Sequence, residues 1–321
     1  MKFPKILHLT CKDKDNITNP VHNKCIERFK EMYTDYEIRI RDNKDIYEMM
    51  EKDYPEHIEQ IKEIKIGAVL ADIFRYYILF KEGGVYADMD CYAHQNIDNL
   101  FLEKTYHGDD KNIVFRKKYV EDKVQLCNNK NILFESEDIE LYTCQGHLVV
   151  DDTHKLVLCY EFHPDYNSRT TTNVCQWFMI AEPEQPLLQR ILSKCFDNLN
   201  ILVRLNISSR SYIKTVLDAC GPGLVTKIVL NASEEELESV KILPTDYFCV
   251  GSNGLKKTKN SYVEHLFTST WHPRNIRKEI SRSNGIRRRP VFTTSQFSQG
   301  NKSFSGRRMF SRKKFSNFKL T

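Results

Sequence analysis

The sequence predicts an α/β fold with a mostly parallel central sheet. Over the first ninety residues, short apolar runs alternate with helical patterns in the order strand, helix, strand, helix, helix, strand. An apolar helix predicted over about 67–81 stops at two consecutive glycines, and the short apolar run 85–87 follows at once. That run leads into two acids, Asp88 and Asp90. In open α/β sheets, ligands bind at the carboxyl ends of such strands.

Each early element follows from a local pattern. Residues 5–9 are a short apolar run that predicts the first strand, and 36–40 alternate as a second strand does. A helix over 23–33 places four apolar side chains on one side, namely Cys25, Ile26, Phe29 and Met32. A helix with a charged outer face is expected near 45–52.

The helix over 67–81 is the most apolar one predicted. Its core-spaced side chains are Val69, Leu70, Ile73, Tyr77 and Phe80. Gly83 and Gly84 are expected to end it, because glycine tolerates a positive φ.

The segments after residue 110 contain shorter patterns of secondary structure. We expect strands at 114–116, at 146–150 and, at a sheet edge, at 241–244; a helix at 186–196; and a loop at 221–226 that runs into a helix or strand.

Composition separates a folded body from a basic tail. The 321 residues are 40% hydrophobic and carry a net charge of +5. Residues 273–321 hold 14 Lys and Arg against one acid, Glu279, and show no apolar periodicity. We therefore expect a folded body at 1–272 and a disordered tail at 273–321. An alternative function for the tail, with its interspersed phenylalanines, is contact with nucleic acid or another polyanion.

The cysteine pattern and the lack of long apolar runs limit the kinds of site and the cellular compartment that can be expected. Ten cysteines are scattered with no Cys-X-X-Cys pair, which argues against a zinc ribbon or a thioredoxin-like site. No run is long enough for a transmembrane helix, and the N-terminus is too polar for a signal peptide. We expect reduced thiols in a cytosol-like compartment.

Asp88 and Asp90 are the strongest candidates for chemistry. Two carboxylates one residue apart can hold a divalent cation, which in turn can neutralise a diphosphate. The alternative is a solvated turn, since a second Asp-X-Asp, at Asp13 and Asp15, lies in a predicted loop.

Three further features have a functional and a structural interpretation. Asp72 and Arg75 share a face of the apolar helix: they form either a surface ion pair or contacts to sugar and phosphate oxygens. The segment 265–271 either packs as core or returns to the site, where His265 or Ser269 would complete the metal shell. Residues 221–223 (GPG) predict a constrained turn, which either is purely structural or touches the ligand.

The run from Asp72 to Asp90 resembles the sugar-binding region of glycosyltransferase family 32, which includes fungal initiating mannosyltransferases, capsule transferases and the catalytic domain of clostridial glucosylating toxins. Four other segments are similar in order and spacing: 4–8 (PKILH), 35–39 (DYEIR), 221–223 and 265–271. The resemblance covers residues 3–272, and it implies that the folded body at 1–272 is a catalytic domain.

This resemblance implies a GT-A (Rossmann-like) fold, a UDP- or GDP-hexose donor, Mn²⁺ or Mg²⁺, and hexose transfer to a glycan or protein acceptor with retention. Asp88 and Asp90 would be catalytic, and Asp90, Asp88 and His265 would bind the metal. The donor would be contacted by Asp72, Arg75, Tyr86, Asp88, Ser269 and Trp271.

Two rival functions stay open. One is a non-catalytic sugar- or nucleotide-binding module, and the other is a polyanion binder that acts through the tail. Because eukaryotic relatives carry an N-terminal anchor and this chain starts at its first strand, we expect a cytoplasmic protein of a bacterial or virus-infected cell.

Overall fold

The computed structural model describes residues 3–102, 150, 153–161, 173–206, 208–209, 211–251 and 256–268. The strands are β1 (Ile6–Thr10), β2 (Glu37–Arg41), β3 (Gly84–Ala87), β4 (Cys91–Ala93), β5 (Leu156–Cys159), β6 (Phe178–Ala181), β7 (Val240–Leu243) and β8 (Val263–His265). The helices are α1 (Pro20–Met32), α2 (Asn43–Asp53), α3 (Ile58–Lys62), α4 (Gly67–Glu82), α5 (Asp98–Leu102), α6 (Pro186–Asp197), α7 (Leu199–Val203), α8 (Tyr212–Ala219), α9 (Pro222–Leu230), α10 (Glu234–Leu237) and α11 (Thr245–Phe248). The strand predicted at 114–116, most of that at 146–150, and the basic tail lie outside the described residues.

The central sheet has the strand order β2-β1-β3-β6-β5-β7. β1 pairs in parallel with both β2 and β3, and β5 pairs in parallel with β7. β6 alone among these six described strands runs antiparallel to its neighbours. The predicted α/β fold with a mostly parallel sheet is therefore confirmed, and β7 lies at an edge as expected.

Both faces of the sheet are buried at β3. Val85 and Ala87 of β3 point into the apolar cluster that contains Phe29 of α1, whereas Tyr86 points into the cluster that contains Ile73 of α4. This alternation is what a strand covered by helices on both sides requires. No helix of the described segments combines the length and the apolar character needed to cross a membrane.

Helix starts follow local capping chemistry. α1 begins three residues before its predicted start, because the Asn19 side chain accepts a hydrogen bond from the Val21 N–H and Pro20 occupies the first turn. At the predicted turn 221–223 the helix α9 starts directly after Gly221, again with proline in its first turn.

The two glycines after α4 have the predicted role. Gly83 has a φ of 65° and Gly84 a φ of 94°, conformations that side chains with a Cβ rarely adopt. A Cβ on Gly84 would lie 2.6 Å from the Ile6 carbonyl oxygen. Glycine therefore lets the start of β3 approach β1 closely.

Candidate active site

Asp88 and Asp90 follow β3 at its carboxyl end, as predicted. The Asp88 N–H donates to the Trp177 carbonyl at 2.8 Å, which extends the pairing between β3 and the strand beside it. The Cys91 N–H then donates to the Asp88 carbonyl at 3.0 Å, which closes a tight turn. Both acids are therefore held at the carboxyl end of β3.

His265 joins the two acids through strand pairing. β8 runs antiparallel to β4 and aligns His265 with Cys91. The His265 Nε2 lies 3.1 Å from Oδ1 of Asp90 and 3.9 Å from Oδ2 of Asp88. One ligand atom from each of the three residues lies within 4.8 Å of the others. The structure thus brings together the three residues predicted as metal ligands.

Each carboxylate has one oxygen held by the protein and one turned to this cluster. Oδ2 of Asp90 accepts hydrogen bonds from the N–H and the hydroxyl of Thr268, both at 2.8 Å. Oδ1 of Asp88 accepts from Arg75 Nη2 and from the Tyr86 hydroxyl, both at 2.9 Å. The two remaining oxygens face the imidazole. The bound oxygens orient the acids and leave the other two to meet a ligand.

The two acids differ in their tendency to ionise. Burial opposes ionisation of Asp90, but His265 and the Thr268 donors outweigh it and hold the pKa of this carboxyl well below its usual range. For Asp88, burial outweighs the neighbouring Arg75 guanidinium, and its pKa is raised. A positive ion between the acids would favour the charged form of both.

The donor set fits a hard divalent cation. The two carboxylates suit Mg²⁺ or Mn²⁺, whereas a soft metal would favour thiolates. The Phe267 N–H donates to Nδ1 of His265 at 3.3 Å, so a neutral ring carries its proton on Nε2. Cation binding at Nε2 would move that proton to Nδ1 and break this long contact. The two carboxylates are therefore the firmer ligands.

Arg75 and Asp72 form a buried pair, so their interpretation as a surface ion pair is wrong. They are 3% and 5% exposed, because α4 packs between the sheet and α6. Arg75 Nη2 lies 2.9 Å from Oδ1 of Asp72, and the guanidinium carbon lies 4.8 Å from the centre of the Tyr86 ring. The arginine thus links the helix to the acid at the end of β3.

Asp72 is held by two residues that the sequence reasoning missed. The Gln176 amide donates to Oδ1 of Asp72 at 3.0 Å, and the Cys220 thiol donates to Oδ2 at 3.5 Å. The Tyr76 hydroxyl bonds both the Gln176 oxygen and, at 2.9 Å, the Cys220 carbonyl. Burial raises the pKa of Asp72 to about 6. The only local signal was the predicted turn at 221–223, which begins just after Cys220.

His8 of β1 hydrogen-bonds to residues of β2 and of the end of α4. Its Nδ1 accepts from Arg41 Nη1 at 2.8 Å, and its Nε2 donates to the Gly83 carbonyl at 2.9 Å. Burial lowers the pKa of His8 to about 4, which keeps the ring neutral and preserves these two bonds. The end of α4 is thereby tied to β1 and β2.

Two other residues beside the acids had no sequence signal. The Trp177 ring centre lies 4.6 Å from that of His265. His22, in the first turn of α1, is half-buried, and its pKa is lowered by burial although Asp90 and Asp88 oppose this shift. Ser269 and Trp271, predicted to contact the donor, lie outside the described residues.

An acid pair and an imidazole at the carboxyl end of a strand in an α/β sheet define a candidate site for a divalent cation. The comparisons are more specific. Residues 19–107 match the family described as "Glycosyltransferase sugar-binding region containing DXD motif". This match contains α4, β3 and both acids, so the predicted resemblance to this family is confirmed over these residues.

Individual relatives agree with this match. The chain is 32% identical over 101 residues to inositol phosphoceramide mannosyltransferase 3 of Schizosaccharomyces pombe, covering 30% of this chain and 27% of the relative. It is 32% identical over 113 residues to mannosyl phosphorylinositol ceramide synthase SUR1 of Saccharomyces cerevisiae, covering 32% and 28%. The chain thus spans little more than a quarter of the length of these relatives.

A solved structure is similar across more of the chain. The catalytic domain of alpha-toxin from Clostridium novyi covers 88% of this chain and 83% of its own, at 12% identity and a TM-score of 0.42.

Proposed function

We propose that this protein is a metal-dependent, retaining glycosyltransferase that moves a hexose from a UDP- or GDP-sugar to a glycan or protein acceptor. The observation that carries the proposal is the convergence of three ligand atoms at one point: Oδ2 of Asp88, Oδ1 of Asp90 and Nε2 of His265. The other oxygen of each acid is held by protein donors. We assign the catalytic domain to residues 1–272.

The difficult step in sugar transfer is the departure of a diphosphate from the anomeric carbon. A Mg²⁺ or Mn²⁺ ion held by Asp88, Asp90 and His265 would stabilise the negative charge that develops on the leaving group. Thr268 and Arg75 would keep the two carboxylates oriented throughout the reaction. Ser269 and Trp271 would act on the same donor.

Arg75 is proposed to contact the donor. Its Nε is buried and has no hydrogen-bond partner among the described residues, although a buried polar group without a partner costs about 1–3 kcal/mol. A phosphate or sugar oxygen would supply the missing acceptor. Tyr86 would act beside it by holding Asp88, and Asp72 by holding the guanidinium and accepting a sugar hydroxyl.

Retention is proposed to proceed on one face of the sugar, without a covalent intermediate. Asp72 is a carboxylate on the donor side, but both of its oxygens accept hydrogen bonds, from Gln176 and Cys220. A carboxylate held in this way is a poor nucleophile. We therefore favour departure of the diphosphate and attack by the acceptor from the same side.

The test is nucleotide release from a panel of UDP- and GDP-hexoses, with Mn²⁺, Mg²⁺ or EDTA. Asp90→Asn is compared with Asp15→Asn, which alters the other Asp-X-Asp of the chain at an exposed position. Release should need a divalent cation, and Asp90→Asn should lower the rate by about 100-fold or more, whereas Asp15→Asn should behave as wild type. Metal-independent release, or an Asp90→Asn rate above about a tenth of wild type, would contradict the proposal. Donor binding in a thermal-shift assay without release, even with acceptors present, would indicate a binding module.

A further inference from the structure

Three cysteines from separate segments lie together in the core, and we call them the thiol cluster. Cys159 ends β5, Cys175 lies shortly before β6, and Cys249 directly follows α11. The sulfurs of Cys249 and Cys159 are 3.8 Å apart, and the Cys175 thiol lies close enough to interact with that of Cys249. All three side chains are fully buried. Residues far apart in the chain thus bring two thiols into direct contact.

The thiol cluster is not arranged as a metal site. Among the described residues, the only three ligand atoms close enough to one another to share an ion are those of Asp88, Asp90 and His265. The proposed sugar transfer uses none of the three thiols either. Two thiols in contact can instead be joined to each other, which makes a disulfide the chemistry that this arrangement permits.

Cys249 lies between two residues whose backbone carbonyls support the candidate active site. The Phe248 carbonyl accepts a hydrogen bond from the Trp177 indole N–H at 3.3 Å. The Val250 carbonyl accepts one from the His265 N–H at 3.0 Å. The Trp177 ring in turn lies against the His265 ring. A movement of Cys249 would therefore reach the imidazole along two hydrogen-bonded routes.

Formation of a disulfide would move Cys249 more than Cys159. The bonded sulfurs are about 2 Å apart, so the two side chains must approach each other. Cys159 is held on both sides, because it pairs with Leu243 of β7 and its carbonyl accepts from the Cys175 N–H at 2.7 Å. Cys249 follows α11, a helix of four residues, and single helical turns have little stability of their own. The displacement therefore falls on the segment that supports His265.

We propose that Cys159 and Cys249 form a reversible disulfide under oxidation by hydrogen peroxide, and that this bond displaces His265 and weakens cation binding. The effect on the cation rests on the proposed function, whereas the disulfide itself does not. One thiol loses its proton, and its sulfur attacks peroxide to give a sulfenic acid and water. The other sulfur then displaces the hydroxyl as a second water and forms the S–S bond. Two thiols thereby give two electrons and two protons to one peroxide.

Burial sets the rate of this oxidation. It raises the pKa of the Cys249 thiol, and the thiolate is the form that attacks. Reaction therefore follows a local opening at α11 that exposes Cys249 to water, and the disulfide forms when the segment closes again on Cys159. In cytosolic proteins, disulfides are usually transient and redox-sensing, which agrees with the reduced thiols expected from the sequence.

The test treats the reduced full chain with hydrogen peroxide, blocks the remaining thiols with N-ethylmaleimide and maps the peptides by mass spectrometry. A peptide pair joined through Cys159 and Cys249 should appear. Mn²⁺ affinity, measured by electron paramagnetic resonance, should fall about tenfold and recover with dithiothreitol. Cys249→Ala and Cys159→Ala should each bind Mn²⁺ as the reduced wild type does and show no response to peroxide. The control Cys195→Ala, at another buried cysteine, should respond as the wild type does.

Each other outcome overturns the proposal. Absence of the joined peptides, or a bond from Cys249 to Cys175 instead, would contradict the assigned disulfide. Joined peptides without a change in Mn²⁺ affinity would show that the bond does not reach His265. An equal loss of affinity in Cys249→Ala would place the oxidation elsewhere. Failure of the proposed function is seen separately, because the reduced wild type would then bind no Mn²⁺ and release no nucleotide, whatever the peptide map shows.

Discussion

Arg75 Nη2 donates to Oδ1 of Asp88 at 2.9 Å, and so joins the middle of helix α4 to the acid that follows strand β3. The arginine is almost completely buried. By holding one oxygen of Asp88, it turns the other toward His265, where a cation would bind. The helix therefore helps to orient the proposed cation site without supplying a ligand to it.

Replacing Arg75 with Lys should damage both stability and turnover. A single ammonium group cannot keep the geometry of the planar guanidinium toward Asp72 and Asp88, and breaking a buried pair typically costs about 3–5 kcal/mol. Urea denaturation should show a loss of this order, and nucleotide release should fall at least about tenfold even where the variant is fully folded.

The matched control is Arg190→Lys. Arg190 pairs with Glu236 at 2.9 Å, but their side chains are 39% and 29% exposed, so the loss should stay below about 1 kcal/mol. Equal losses of unfolding free energy for the two substitutions would show that burial does not increase the contribution of the Arg75 network to stability.

Thr268→Val should weaken the cation site while leaving the fold intact. It removes the hydroxyl donor to Oδ2 of Asp90 and keeps the N–H donor at the same oxygen. A hydrogen bond to a charged group is worth about 1.5–3 kcal/mol, so Mn²⁺ affinity, measured from the free ion by electron paramagnetic resonance, should fall about tenfold. Thr268→Ser should restore it. Failure of the serine variant to do so would show that the methyl group, and not the hydroxyl, is what matters.

Asp72 should make stability fall as pH rises from 4 to 7. Its pKa in the folded protein is about 6, above the ordinary value of 3.8, and burial is the main cause. The folded state therefore binds this proton more tightly than the unfolded state. That contribution to stability is complete below pH 4 and is lost as the pH passes 6.

The measurement compares wild type with Asp72→Asn by urea denaturation at pH 4 to 7 without divalent cation. The difference in unfolding free energy should shift in favour of the variant by up to about 3 kcal/mol across this range. Comparing the two proteins cancels the other titrating groups. Parallel pH profiles would mean that Asp72 keeps an ordinary pKa.

Gly84→Ala should destabilise the protein by about 3 kcal/mol or more, since the new Cβ would lie 2.6 Å from the Ile6 carbonyl oxygen at a φ of 94°. Gly67→Ala is the control, because nothing lies within 4 Å of a Cβ there and alanine favours the helix. Thermal unfolding should separate the two variants clearly. A Gly84→Ala protein as stable as Gly67→Ala would show that β3 can move away from β1 without loss.

Local patterns predicted the parts of the site that lie close together in sequence. Asp88 and Asp90 were found because a helix, two glycines and a short strand precede them within one stretch of chain. His265 was named as part of the segment 265–271, and the pairing of β8 with β4 places it beside the acids. Thr268 lies within the segment 265–271 that was predicted to return to the site, but its bond to Asp90 was not predicted, because the two residues are 178 positions apart and a threonine has no distinctive pattern. Gln176 was missed for the same reason, at a distance of 104 residues from Asp72.

The burial of Asp72 and Arg75 likewise could not be predicted from the sequence. The spacing of Asp72 and Arg75 was consistent with either a surface pair or a functional pair, and only the packing of α4 against the sheet and α6 decided between them.

The sequence by itself determined the alternation of strands and helices, the end of α4 at the two glycines, and the position of two acids directly after a strand. These features depend on side-chain periodicity and on backbone freedom over a few residues. The tertiary structure decided which oxygen of each acid is held, which face of α4 is buried, and that His265 lies beside the two acids. Those properties depend on contacts between segments far apart in the chain, which local patterns do not encode.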